Sequence, residues 1–234
     1  MSRAADRALR SLSRAVLDMM AAEAGTEAPD SVASLAERRR VCKAFQAAHG
    51  LGVDGHPGDG TLGKLWALNK PSRALVEARL SAAEAMGGGT VYKLGNGGWG
   101  WFESELAPQC DCSGLIAHAL QRPRTPQSDF MWHGTEWWWS TESMWADAIE
   151  HERILRRIPE PIDGCIAVYP DSDGKQGHTG YIASVQGNQL MGWDCSSSQY
   201  RNHKDAIRYR DLTFFRRKSA TVYAVPVWWP EGGA

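Results

Sequence analysis

Three side chains stand in chain order with the chemistry of a nucleophile, a base and an orienting group. They are Cys112, His178 and Asp194, separated by 66 and then 16 residues. A thiol becomes a nucleophile when a neighbouring base takes its proton, and a third group keeps the base in one orientation. Asp111 is a strong N-cap residue, because its carboxylate accepts from free N–H groups of a first helical turn. Cys112 is then the first helical residue. Leu115, Ile116, Ala119 and Leu120 follow at helical spacing, and Pro123 closes the helix. A sulfur at that position meets the positive end of the helix macrodipole, which favours thiolate over thiol. Ser113 and Gly114 are small and leave room for a substrate backbone, so Ser113 is a candidate substrate contact. A lone cysteine is more often a buried structural thiol. His178 and Asp194 are what change that reading.

These residues need a helix and a hairpin to position them. Residues 165–169 read as one strand, 178–185 as a second and 189–193 as a third, with Gly187-Asn188 as the hairpin turn between the last two. The hairpin brings His178 near Asp194 if its register allows. Residues 222–227 read as a closing strand. Strands after a cysteine-bearing helix predict an α+β fold. Ahead of the cysteine, Pro71 opens a helix with Leu75, Val76, Leu80 and Ala83 inward, stopped by Gly87-Gly88-Gly89. The glycine-rich stretch 90–99 lacks the Gly-Lys-Ser/Thr of a phosphate loop. Residues 121–150 carry Trp132, Trp137, Trp138, Trp139 and Trp145, with Ser140 or Thr141 able to cap a short helix through Ile149. Aromatics beside short polar groups suit a groove wall, which makes Trp137, Trp138 and Trp139 candidate substrate contacts. They suit the cover of a core equally well.

Leu9, Leu12, Val16 and Met19/Met20 predict an amphipathic helix over 4–24. Residues 35–69 form a helix–loop–helix unit. Val41, Phe45 and Ala48 mark the first helix, and Thr61 is placed to cap a second carrying Leu62, Leu65, Trp66 and Leu68. Between them, Asp54 can bond local backbone N–H groups. The pattern Phe45-Gln46, Gly50-Leu51, Val53-Asp54-Gly55, Gly58, Thr61, Leu65 resembles the repeat of the three-helix peptidoglycan-binding domain. The resemblance makes Asp54 a candidate wall contact. The expected division is a small all-α module over 1–70 and a larger domain over 71–234.

The larger domain resembles the NlpC-type cell-wall cysteine peptidases, which have a stripped-down papain-like fold with an antiparallel sheet. The matching pieces are Asp111-Cys112-Ser113-Gly114-Leu115, Asp163-Gly164-Cys165-Ile166-Ala167, Gly177-His178-Thr179-Gly180-Tyr181-Ile182, and Asp194-Cys195-Ser196. Tyr92 and the glycines after it match the segment placed before the family's cysteine. The resemblance implies that this tyrosine helps form the oxyanion site. In the family the third catalytic residue is often His; here Asp194 stands there, and a carboxylate can also orient imidazole. The resemblance implies hydrolysis of an amide in peptidoglycan stem peptides, often between D-glutamate and the diamino acid, with no cofactor. Two other readings stand beside it. One is a wall-binding protein without turnover; the other is an acyltransferase or amidase of the same fold acting on a non-wall amide.

Composition narrows the partners. A net charge of −1 gives no global field toward nucleic acid, so bacterial peptidoglycan is the expected partner and nucleic acid is not. No run approaches membrane-spanning length. The arginines spread through residues 1–24 leave no apolar signal-peptide core. The expectation is synthesis in the cytoplasm and action on the wall after lysis, as by a phage-type lysin, or after injection by a secretion machine. The expected state is a monomer. Five cysteines in a chain this long read as free thiols, although Cys110 and Cys195 could pair after export. A metal site on Cys110, Cys112, Cys195 and a histidine lacks the paired Cys-x-x-Cys spacing of structural zinc, so no metal is expected. Cys195 is a rival nucleophile, but no apolar helix follows it.

Overall fold

The computed structural model describes residues 14–28, 34–57, 59–85, 89–97, 109–122, 139–172 and 174–230. They fall into two compact units, one running to Asn69 and the other beginning at Lys70. Among these residues no helix is long and apolar enough to cross a membrane.

In the first unit, α1 (Arg14–Glu23) packs on α2 (Leu35–Ala48). A capping box starts α2: the Glu37 N–H donates to the Ser34 hydroxyl at 3.2 Å, and the Ser34 N–H donates to the Glu37 carboxylate at 2.7 Å. The buried side of α2 is Val41, Cys42, Phe45 and Gln46, whereas Ala48, expected to face inward, is exposed. Gln46 organises the loop that follows. Its amide N–H groups reach Asp54, the His56 carbonyl and the Thr61 hydroxyl at 2.8, 2.9 and 3.0 Å. Its carbonyl accepts from the Gly55 N–H at 2.8 Å. Because α3 (Asp59–Leu68) begins before Thr61, that residue is not its N-cap. Thr61 instead lies buried in the first turn with its hydroxyl engaged by Gln46. A buried amide needs its polar atoms paired, and this one draws in the hydroxyl that the sequence assigned to the cap.

The second unit is α+β. Its first helix, α4 (Arg73–Ala85), turns Val76, Leu80 and Ala83 inward. Leu75, predicted inward, is 42% exposed because it sits a full residue off that stripe. β1 (Val91–Tyr92) and β2 (Gln109–Cys110) make a short parallel pair leading into α5 (Cys112–Ala119). Next come α6 (Thr141–Ala146), a π-helical turn (Asp147–His151), β3 (Leu155–Ile158), β4 (Cys165–Tyr169), β5 (His178–Gln186) and β6 (Gln189–Cys195). The chain then forms α7 (Ser197–His203), β7 (Ile207–Asp211), a 3-10 turn (Thr213–Arg217) and β8 (Val222–Pro226). One antiparallel sheet runs in the order β3-β8-β4-β5-β6-β7.

Two of these strands, β3 and β7, escape the sequence reading. Both are sheet edges with arginine inside a short apolar pattern. Helix α5 packs on β5 and β6. Helix α4 is strapped to the sheet by its acids: Glu77 accepts from the Tyr181 hydroxyl at 3.0 Å, and Glu84 accepts from the Trp193 indole and the Tyr209 N–H, both at 2.8 Å. Ser140 caps α6 through a second capping box with Ser143.

Candidate active site

The helix that carries Cys112 starts as its sequence requires. Asp111 accepts from the Gly114 N–H at 2.7 Å and from the Ser113 hydroxyl at 3.1 Å. Its second oxygen accepts from the Gly95 N–H at 2.6 Å. The Lys93 N–H donates to the Cys110 carbonyl at 2.9 Å, and the Asp111 N–H donates to the Asn96 carbonyl at 3.1 Å. One carboxylate thus caps α5 and clasps the 93–96 segment against its start. This brings Tyr92 into the cleft beside Cys112. Burial first, then the neighbouring Cys112, raises the Tyr92 hydroxyl well above its ordinary pKa, which keeps it a neutral donor.

His178 begins β5, and its Nε2 lies 2.8 Å from Asp194 Oδ2. Its ring also lies close enough to Cys112 for that sulfur's charge to act on it. With Nε2 engaged by Asp194, Nδ1 is the nitrogen that remains for the thiol. The imidazole stacks on Phe215, with ring centres 5.8 Å apart and planes 12° from parallel, and leans on Phe214 at 5.9 Å. His178 is 13% exposed and Asp194 is fully buried. Burial by itself pushes the His178 pKa down. Cys112 and Asp194 outweigh it and raise the value to about 10. Burial likewise pushes Asp194 up, and His178 with Arg210 more than reverses this, leaving the carboxyl below its ordinary range. Arg210, on β7, holds Asp194 bidentately, with Nε 2.8 Å from Oδ1 and Nη2 on Oδ2.

The start of β5 is fixed from the other side. The Gly177 N–H donates to Asp171, and the Asp171 N–H donates to Glu142 on α6. A side-chain carbon at Gly177 would lie 2.6 Å from the Tyr169 carbonyl and 2.7 Å from the Thr141 hydroxyl, so only glycine fits before His178. Two clefts meet at the site. One, of about 260 Å³, is lined by Tyr92, Cys112, Ser113, Thr141, Glu142 and Asp171 among others. The other, of about 320 Å³, includes Tyr92, Tyr169, His178, Ser196 and Arg210.

Comparison of the chain with protein-family models, with curated proteins and with solved structures gives no match.

Cys112, His178, Asp194, Tyr92 and Ser113 therefore converge. Trp139 does not join them on the cleft wall: it is buried at 3% exposure, with the Arg122 guanidinium 4.1 Å over its ring. Trp137 and Trp138 lie outside the described residues. Asp54 belongs to the first unit, where its carboxylate is engaged by Gln46 and by the His56 N–H. Among the described residues no three His, Cys, Asp or Glu side chains gather as a metal-binding cluster. Cys195 is followed only by the short α7, which buries none of its residues, and burial raises its thiol well above the ordinary range. Sequence reasoning misses Arg210, Tyr169 and the Phe214-Phe215 shelf. Alternation in Ile207-Arg208-Tyr209-Arg210-Asp211 is the signal that would have placed Arg210 on a strand face.

Proposed function

We propose that this chain is a cysteine amidohydrolase of papain-like architecture that cleaves an amide in the stem peptide of bacterial peptidoglycan. The single observation that carries the reaction class is His178 held 2.8 Å from Asp194 and beside Cys112, with Asp194 fixed by Arg210. The charged imidazole beside Cys112 is the state from which such a site reacts. The Cys112 sulfur attacks the substrate carbonyl carbon, a C–S bond forms, and the carbonyl electrons move to oxygen. The backbone N–H of Cys112 and the neutral Tyr92 hydroxyl are the donors that would receive that oxyanion. His178 gives its proton to the leaving nitrogen, the C–N bond breaks, and a thioester remains. Water then attacks the thioester, His178 accepts its proton, and the sulfur leaves.

The wall substrate rests on sequence resemblance. The Gln46-centred loop carries the Asp-Gly pattern of the peptidoglycan-binding repeat, and the helix–cysteine, strand–histidine order follows the NlpC type. The favoured bond is D-glutamyl to diamino acid. A monomer released to the wall by lysis or by a secretion system is the setting that suits it. Digestion of purified peptidoglycan by the wild type and by Cys112→Ala, with products read by mass spectrometry, tests the reading. New stem-peptide fragments from the wild type alone support it and name the bond. Fragments from both proteins, or from neither, contradict it; sacculi bound without cleavage would indicate a wall-binding protein.

A further inference from the structure

Two cysteines outside the reaction flank it symmetrically. Cys110 ends β2, immediately before Asp111 and Cys112, and Cys195 ends β6, immediately after Asp194. Both are wholly buried and both are free thiols here. The Cys195 thiol donates to the Cys110 carbonyl oxygen at 3.3 Å, and the Cys110 thiol donates to the Asp111 carbonyl at 3.1 Å. The first of these contacts sets the Cys195 thiol beside the Cys110 residue, so rotation about the two side chains is the movement that would bring the sulfurs to the bonding distance of about 2.05 Å. Cys42 belongs to the first unit, and Cys165 sits within β4, where burial pushes its thiol up to about 12.

We propose that Cys110 and Cys195 are a cross-linking site: under oxidising conditions they form a disulfide that ties the start of α5 to the Asp194 strand and leaves the Cys112 thiol free. The oxidant is a small dialkyl disulfide such as oxidised glutathione. Two protein S–H bonds and the oxidant's S–S bond break, the protein S–S bond forms, and the oxidant leaves as two thiols carrying the two protons. Because both sulfurs are buried, the exchange occurs while the chain is folding. The bond spans 85 residues of sequence, and long loops are the ones whose closure most restricts the unfolded chain.

The test refolds the full chain either with a mixture of oxidised and reduced glutathione or with excess reductant alone. Free thiols are counted in denaturant, cross-linked peptides are mapped, and thermal unfolding is followed. The expected result is three titratable thiols in place of five, a Cys110–Cys195 peptide, and a melting temperature higher by about 10 °C. Cys112 should still alkylate with iodoacetamide. Oxidised and reduced Cys110→Ala should melt together; if that variant does not fold, the wild-type peptide map decides alone. Five free thiols after oxidative refolding, or a mapped pair that includes Cys112, would overturn the proposal.

Discussion

Gly192 lies against the carbonyl of Tyr181 at the point where the pairing of β5 with β6 slips by one residue. Near the hairpin turn, Gln186 pairs with Gln189 and Ser184 with Met191; beyond the bulge, Ile182 pairs with Gly192 and Gly180 with Asp194. Without the slip, Asp194 would stand opposite Tyr181 and share its face, and Tyr181 reaches toward Glu77 on α4. With it, Asp194 faces the same way as Gly180 and His178, which makes the 2.8 Å contact possible. A side chain at position 192 would collide with the Tyr181 carbonyl. Gly192→Ala should therefore either cost about 3 kcal/mol of stability or remove the bulge and with it the His178–Asp194 contact. Thermal unfolding together with NMR titration of His178 reads both effects; an unchanged melting temperature with an unchanged His178 titration would refute this role.

The sign of the pH dependence follows from His178. Its value rises from 6.5 to about 10 in the folded state. The stability it contributes is complete below 6.5 and is lost as pH climbs through about 10. Amide hydrolysis should fall as pH rises through about 10, because the leaving nitrogen then loses its proton donor. Asp194 acts at the other end. Its folded value is lowered, so its contribution holds above its ordinary 3.8 and disappears as pH falls below that. In Asp194→Asn the alkaline fall in rate should move to lower pH, with kcat reduced on the order of 100-fold or more. A pH–rate profile unchanged by this substitution would count against the assignment.

Arg210 is a positioning residue and its effect should differ in kind. Arg210→Met leaves Asp194 buried with only His178 as a charged partner. Stability should drop by about 3 kcal/mol, and the His178 titration should shift as its partner reorients. Arg210→Lys should restore the charge but not the two-pronged grip, giving a partial rescue. A Met variant as stable as the wild type, with His178 titrating normally, would show that Asp194 holds its place unaided.

Much of this site is legible in the sequence because its strongest determinants are local. Asp111 before Cys112 is a cap read from neighbours, and Gly187-Asn188 is a turn read from two residues. The helix around Cys112 and the strands on either side of that turn follow from periodicity. The long-range parts are not legible. Arg210 reaches Asp194 from an edge strand 16 residues away, and the bulge that selects the face of Asp194 depends on pairing across two strands. Thr61 shows the same limit on a smaller scale: its residue type says cap, but the buried amide of Gln46 decides its role.

Tyr92→Phe separates the oxyanion role from packing. The ring is retained and the donor is lost, so kcat should fall on the order of 10- to 100-fold while the melting temperature stays near that of the wild type. Equal kcat in the two proteins would remove Tyr92 from the reaction.

The central claim is that His178 activates Cys112. The most direct measurement is the rate of iodoacetamide alkylation at each of the five cysteines, mapped by mass spectrometry near about pH 6, in the wild type and in His178→Ala. The account predicts rapid labelling confined to Cys112 in the wild type and a large loss of that rate in the variant. Slow labelling at Cys112, or a rate indifferent to His178, would contradict it.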